Sequence, residues 1–125
     1  MSDAIVLFAH GSRDPEWAAP LRALQKTIAH RCPHTEVLIA FLELMQPDLP
    51  AALAQAAAQG VRNATVVPVF LAAGAHLKSD LPRLVEAASI AHPQLAVRVL
   101  PPLGENDAVL QALAAWIAGA AKGGL

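Results

Sequence analysis

The sequence predicts an α/β fold in which a single lobe holds a four-stranded parallel sheet with helices on both faces. Short, mainly apolar runs alternate with longer segments of helical periodicity, in the order βαβαβαβα. Mainly apolar strands indicate a sheet that is covered on both faces, because each face of each strand must then meet a helix. No linker or charge run interrupts the 125 residues, so we expect one domain over 1–125.

Each strand candidate is a run of apolar residues, and the four runs lie at 4–9, 36–43, 65–71 and 95–100. Each run is followed by apolar residues at helical spacing, which predicts helices over 16–31, 49–60, 81–92 and 106–119. In the last of these helices, Leu110, Leu113 and Ile117 form the apolar stripe that we expect to face the sheet.

Three of the helix starts share a pattern in which an aspartate closely precedes a proline. The pairs are Asp14 with Pro15, Asp48 with Pro50, and Asp80 with Pro82. An N-cap aspartate accepts a hydrogen bond from an unpaired backbone N–H group, and proline fits the first turn of a helix. We therefore expect a helix to begin just after each of these aspartates.

The composition excludes several classes of function. The formal net charge is −1, so nothing in the overall charge points to nucleic acid or to an anionic membrane as a partner. The single cysteine, Cys32, excludes an internal disulfide and any multi-cysteine metal cluster, and it favours a reducing cytoplasm. The longest apolar stretch, 64–75, is shorter than the ~18–20 residues of a membrane span. The N-terminus has no basic region typical of a signal peptide.

Chemically reactive side chains follow the first three strands. The segments are "HGSRD", "ELMQPD" and "AAGAHLKSD", and they supply His10, Glu43 and His76. In open α/β sheets, ligands bind beyond the carboxyl ends of the strands, so we expect the three side chains on one rim of the sheet. Two imidazoles and a carboxylate suit a divalent metal such as Co²⁺, Ni²⁺, Fe²⁺ or Zn²⁺, and they also accept protons near neutral pH. Taken singly, each has an ordinary alternative as a loop or surface residue.

The same strand ends resemble a known family. "LFAHGSRDPEW", "AFLELMQPDLP" and "VVPVFLAAGAHLKSDLP" are similar to the signature segments of the short CbiX-type sirohydrochlorin chelatases, in the class II chelatase superfamily. The segment "PPLGENDAVLQAL" is also similar to the C-terminal part of that family. The resemblance implies a chelatase-like, flavodoxin-related fold. It also implies insertion of Co²⁺, Fe²⁺ or Ni²⁺ into a sirohydrochlorin-type tetrapyrrole, for cobalamin or siroheme, with no prosthetic group.

The resemblance assigns roles to the rim residues. His10 and His76 match the histidines that hold the incoming metal and receive pyrrole protons, and Glu43 matches the acidic residue that assists them. Sirohydrochlorin carries many carboxylates, so local cations are expected, and Arg13 and Lys78 are the candidates. Gly11 and Gly74 suit loops whose backbone approaches a flat macrocycle.

Some family members hold two such lobes in one chain, so the single lobe here predicts a homodimer. A protein that binds or delivers metal or tetrapyrrole without catalysing insertion remains an open alternative. A histidine phosphatase needs an arginine directly before its first histidine to bind phosphate. Ala9 precedes His10 in this chain, so this class of enzyme is disfavoured. A phosphoacceptor regulatory module is disfavoured because the strand ends lack a cluster of acidic residues.

Overall fold

Four parallel strands and four helices account for most of residues 2–123, the part of the chain that the computed structural model describes. The strands are β1 (Asp3–Ala9), β2 (Thr35–Phe41), β3 (Asn63–Pro68) and β4 (Ala96–Val99). The helices are α1 (Ala19–Arg31), α2 (Leu49–Ala58), α3 (Ala75–Ala91) and α4 (Asp107–Gly123). Two 3-10 turns, Pro15–Ala18 and Leu103–Glu105, precede α1 and α4. The predicted alternation and the parallel sheet are confirmed.

The strand order in the sheet is β2-β1-β3-β4, which makes β1 a central strand. All seven residues of β1 pair with β2, from Asp3 opposite Thr35 to Ala9 opposite Phe41. On its other side β1 pairs with β3, as far as Phe8 opposite Pro68. The chain leaves β1 toward β2 and later returns to β3 on the opposite side. The β1 and β3 ends therefore flank the point where the winding direction changes, which is where open sheets place a ligand crevice.

The core has two parts because alternate residues of each strand point to opposite faces of the sheet. On one face Val6 and Phe8 pack with Leu53 of α2 and Leu77 of α3. On the other face Leu7, with neighbours from β2, packs against Leu21 of α1. Helices thus pack on both faces of the sheet, as the apolar strands predict, although α1 covers only part of its face.

The capping prediction is confirmed at two helix starts and wrong at the third. Asp14 accepts a hydrogen bond from the Glu16 backbone N–H at 3.0 Å and caps the 3-10 turn that leads directly into α1. Asp48 accepts one from the Ala51 N–H at 2.9 Å at the start of α2. At the third start, α3 begins at Ala75, several residues before the predicted position, and Asp80 lies within it.

The early start of α3 has an energetic explanation. Pro82 lies inside the helix, where proline costs about 3 kcal/mol. The extra turns bring Leu77 into the core at 6% exposure, and burial of a leucine is worth about 1.5–3 kcal/mol. Packing of Leu77, together with the hydrogen bonds of the added turn, offsets the proline. Because of this shift, His76 and Lys78 lie on the first turn of α3 and not in a loop.

The position of α4 differs from the sequence prediction. Within the described part of the chain, its main contact is with the 3-10 turn at Leu103–Glu105, and α4 has no buried residue. The expectation that Leu110, Leu113 and Ile117 face the sheet is therefore wrong for this chain by itself: Leu110 is 42% exposed and Ile117 is 59% exposed. Helical periodicity identifies an apolar face but does not say which surface will cover it.

Candidate active site

The carboxyl ends of the strands form a rim that carries the three predicted site residues. His10 follows β1 directly, Glu43 comes just after β2, and His76 is the second residue of α3, which follows β3. Since β1 lies between β2 and β3, His10 is the middle one of the three along the rim. His10 and His76 follow the two strands that flank the crevice at the change of winding. All three residues are exposed to solvent.

The backbone brings His10 and Glu43 together. The Leu42 N–H donates to the Ala9 carbonyl at 2.8 Å, and the Glu43 N–H donates to the His10 carbonyl at 3.0 Å. These bonds continue the pairing of β1 with β2 beyond the ends of both strands. The position of Glu43 relative to His10 is therefore fixed by the backbone.

Gly11 makes this approach possible. Its φ of +97° lies in the region that side chains disfavour, and a Cβ atom at this position would lie 1.9 Å from the Glu43 carbonyl oxygen. The sequence predicts a backbone at Gly11 that comes close to a macrocycle. The structure shows a second reason for glycine at position 11: its backbone packs closely against the loop that carries Glu43. Its predicted contact with substrate stays a prediction.

Sequence reasoning missed Phe70, whose ring packs against the His10 imidazole. The two ring centroids lie 5.0 Å apart with an interplanar angle of 42°. Phe70 also makes an edge contact with the buried Phe8, at a centroid distance of 6.3 Å. Phe70 thereby links the side chain of His10 to the core. The register between β1 and β3 could have identified it. Phe8 lies opposite Pro68, so two residues further along each chain His10 falls opposite Phe70.

His76 is presented by the start of α3. Gly74 is the N-cap residue in an extended conformation, and the Lys78 N–H donates to its carbonyl at 3.0 Å. A Cβ atom at Gly74 would meet nothing within 4 Å, so its place as a predicted substrate contact is sterically open. Lys78 shares the first turns of α3 with His76, while Arg13 is exposed in the loop after β1. The predicted cations thus lie on both sides of the crevice.

The rim does not form a closed metal site. Across residues 2–123, no group of three His, Cys, Asp or Glu side chains is close enough together to hold a metal ion. The metal role predicted for His10, Glu43 and His76 stays a prediction, with donors that are separate and solvent-exposed. Such donors suit a metal that arrives and leaves, whereas a structural site closes around its ion with four ligands.

Apolar surface surrounds these polar groups. Leu42, Leu44 and Leu71 follow the ends of β2 and β3, and Leu44 and Leu71 are 56% and 65% exposed. Leu44 also has a φ of +68°, a strained conformation of the kind that clusters at functional sites. Beside Phe70, a groove of about 330 Å³ opens between α3 and the end of β4, with Lys78 among its otherwise mainly apolar lining.

The family model for CbiX matches residues 4–120, nearly the whole chain. The chain belongs to the CbiX family. Among curated relatives, the sirohydrochlorin cobaltochelatase of Methanocaldococcus jannaschii is 40% identical over 83 residues, which cover 66% of this chain and 58% of that protein. The match spans a little over half the length of this relative and of those from Methanopyrus kandleri and Methanothermobacter thermautotrophicus.

Two solved structures of CbiX-type proteins resemble the fold. The crystal structure of the CbiX protein from Marinobacter aquaeolei VT8 has a TM-score of 0.83 and 32% identity, covering 96% of this chain and 98% of that chain. The sirohydrochlorin chelatase SirB from Bacillus subtilis subspecies spizizenii, in complex with cobalt, has a TM-score of 0.78 and 26% identity. That match covers 94% of this chain but 50% of SirB. In the part of this chain that the structure describes, no helix is long and apolar enough to cross a membrane.

Proposed function

We propose that this CbiX-family chain inserts a divalent metal into a sirohydrochlorin-type tetrapyrrole, as a step toward cobalamin or siroheme. Co²⁺ is the first candidate, and Fe²⁺ and Ni²⁺ are the alternatives. The observation that carries the proposal is that His10 and His76 follow β1 and β3, the two strands between which the winding direction changes and where open sheets bind ligands. The names of the M. jannaschii and B. subtilis relatives support the same reaction.

The reaction needs proton acceptors and a weakly held metal. Two pyrrole N–H groups must each lose a proton, and the metal must exchange its ligands for four ring nitrogens. In this proposal His10 and His76 hold the metal and accept the protons, since imidazole does both near neutral pH. Glu43, fixed beside His10 by the backbone bond to its carbonyl, assists with a carboxylate. Separate, exposed donors allow the metal to leave.

The surroundings of the crevice fit a flat, apolar ring with an anionic edge. The exposed Leu44 and Leu71 and the groove beside Phe70 offer apolar surface to the ring. Arg13 and Lys78 offer charges to its carboxylates. Gly11 and Gly74 keep side-chain bulk away from the crevice.

We further propose that residues 1–125 act as one CbiX-type domain, that two copies form a homodimer, and that the protein works in the cytoplasm. The half coverage of SirB supports a pair of lobes as the working unit. The single cysteine fits a reducing compartment.

The first test is anaerobic incubation with sirohydrochlorin and Co²⁺, Fe²⁺ or Ni²⁺ separately, followed by the absorbance change on metallation. We expect the protein to accelerate insertion of at least one metal above the spontaneous rate, with Co²⁺ fastest. If no metal is inserted faster than in buffer, the chelatase proposal is wrong.

A second candidate is a protein that binds or delivers metal or tetrapyrrole without catalysing insertion, because the same exposed side chains would serve binding as well. Equilibrium dialysis with Co²⁺ and with sirohydrochlorin distinguishes the two. Binding of either without acceleration supports delivery, and acceleration supports the chelatase.

A further inference from the structure

α4 carries an apolar face that the described chain leaves largely uncovered, with Val109 and Leu113 half-buried and the other large side chains exposed. Val109, Leu113, Trp116 and Ile117 fall on one side of the helix at helical spacing. Trp116 is 70% exposed and Ile117 is 59% exposed, although both are large apolar side chains. A contiguous apolar face of this kind marks a surface for interaction.

The sheet carries a matching open surface. A groove of about 790 Å³ runs beside α1 on the face of the sheet opposite α2 and α3. Its lining is mainly apolar and includes Ile5, Val67 and Val69 from the strands and Leu24 from α1. The 17 residues of α4 extend over ~26 Å, and a seven-residue strand extends over ~23 Å. One helix of the length of α4 therefore fits the groove.

The connection before α4 keeps these two surfaces apart within one chain. Pro101 and Pro102 stiffen the segment after β4, and Gly104 is packed so closely that an added Cβ atom would lie 1.8 Å from the Leu71 carbonyl oxygen. Asn106 then caps the helix, accepting a hydrogen bond from the Val109 N–H at 3.1 Å. The segment is thus fixed against the β3–α3 loop, and α4 leaves it away from the sheet.

We propose that α4 docks in the groove of a second copy of this chain, and that the exchange is reciprocal. This inference rests on the homodimer proposed above and gives it a specific interface. Exchange of one identical element is a low-cost route to a dimer, because each copy supplies what the other lacks. The exchanged α4 completes the helical cover of the sheet in both copies.

Charge and area agree with this docking. A helix that lies antiparallel to the strands, as crossover helices do, brings Lys122 at the end of α4 to the amino end of the groove, where Asp3 lines it. Each copy inserts one helix and receives one, so two helix faces and two groove surfaces are covered. At ~26 by 10 Å each, these four surfaces amount to about 1,000 Å² in total. That area reaches the size expected of a specific interface.

The first test is the oligomeric state of two matched variants, measured by analytical ultracentrifugation. Ile117→Asp introduces a charge on the docking face, and Ala115→Asp introduces the same charge on the opposite face of α4. We expect Ile117→Asp to raise the dimer dissociation constant at least about 100-fold, because both copies lose a buried isoleucine, whereas Ala115→Asp changes it little. A dimer that survives Ile117→Asp would overturn the exchange while leaving the homodimer. A wild-type monomer would overturn both.

The second test identifies which copy supplies the helix. Two variants are made in a Cys32→Ser background: Leu113→Cys on α4 and Thr65→Cys in the groove. The two chains carry different tags, are coexpressed, and are treated with a short bismaleimide. We expect a covalent heterodimer that needs both variants. Cross-linking within one chain that carries both changes, at monomer mass, would overturn the exchange, as would failure to cross-link in either format. Neither test depends on metal insertion, so the activity proposal stands or falls separately.

Discussion

His10→Ala is expected to slow metal insertion by at least about 100-fold, the low end of what a positioned proton acceptor contributes. The imidazole lies between the other two rim residues and also serves as a proposed metal donor, so its loss removes two functions at once. His76→Ala is expected to have a similar effect from the other side of the crevice. The measurement is the initial rate of Co²⁺ insertion at saturating sirohydrochlorin.

His34 supplies a matched control for these two variants. It is an exposed histidine just before β2, at the edge of the sheet opposite the rim. His34→Ala should leave the rate within about twofold, since surface substitutions away from special features have small effects. Full activity in both His10→Ala and His76→Ala would refute the proposed mechanism, and equal losses in all three variants would point to a general effect on folding.

Gly11→Ala is expected to destabilise the protein more than the same change at Gly60 or Gly74. The conformation alone costs about 1–2 kcal/mol for a residue with a side chain, and the clash with the Glu43 carbonyl adds to it. We expect a total loss of about 2–4 kcal/mol in the free energy of unfolding, measured by urea denaturation. The remaining folded protein should also insert metal more slowly, because the His10 and Glu43 loops must separate.

Two other glycines divide this effect into its parts. Gly60 has a φ of +83° but open space around it, so Gly60→Ala isolates the conformational cost of about 1–2 kcal/mol. Gly74 has a φ of −72° and open space, so Gly74→Ala should be nearly neutral for stability. A Gly11→Ala variant no less stable than Gly60→Ala would show that the two loops do not need their close contact.

Much of the fold could be predicted because its signals are local. The four mainly apolar runs identify the strands to within a few residues, because the strands that carry the core have apolar side chains on both faces. Asp48 marks the start of α2 through a hydrogen bond to a residue three positions away. Asp80 gives the same signal but lies within α3, because the burial of Leu77 depends on contacts distant in the sequence. A local pattern cannot report that competition.

The site could be predicted in composition more than in arrangement. His10, Glu43 and His76 are recognisable because each comes soon after a strand, and the sheet order makes His10 the middle one. The contact of Phe70 with His10 depends on the register between β1 and β3, which the sequence does not state. The exposure of the apolar face of α4 could not be predicted either, because helical periodicity shows which side of a helix is apolar but not which surface covers it.

The central place of β1 gives the two histidines different local stabilities. The strand that leads to His10 is hydrogen-bonded to both β2 and β3, and the His10 carbonyl accepts a hydrogen bond from the Glu43 N–H, so this position should open less readily than a helix end. His76 lies in the first turn of a helix, where fraying costs much less free energy. One histidine thus follows a central strand, while the other can move by a local opening. In the proposed reaction, such a pair would keep one ligand on the metal ion while the other ligand releases it.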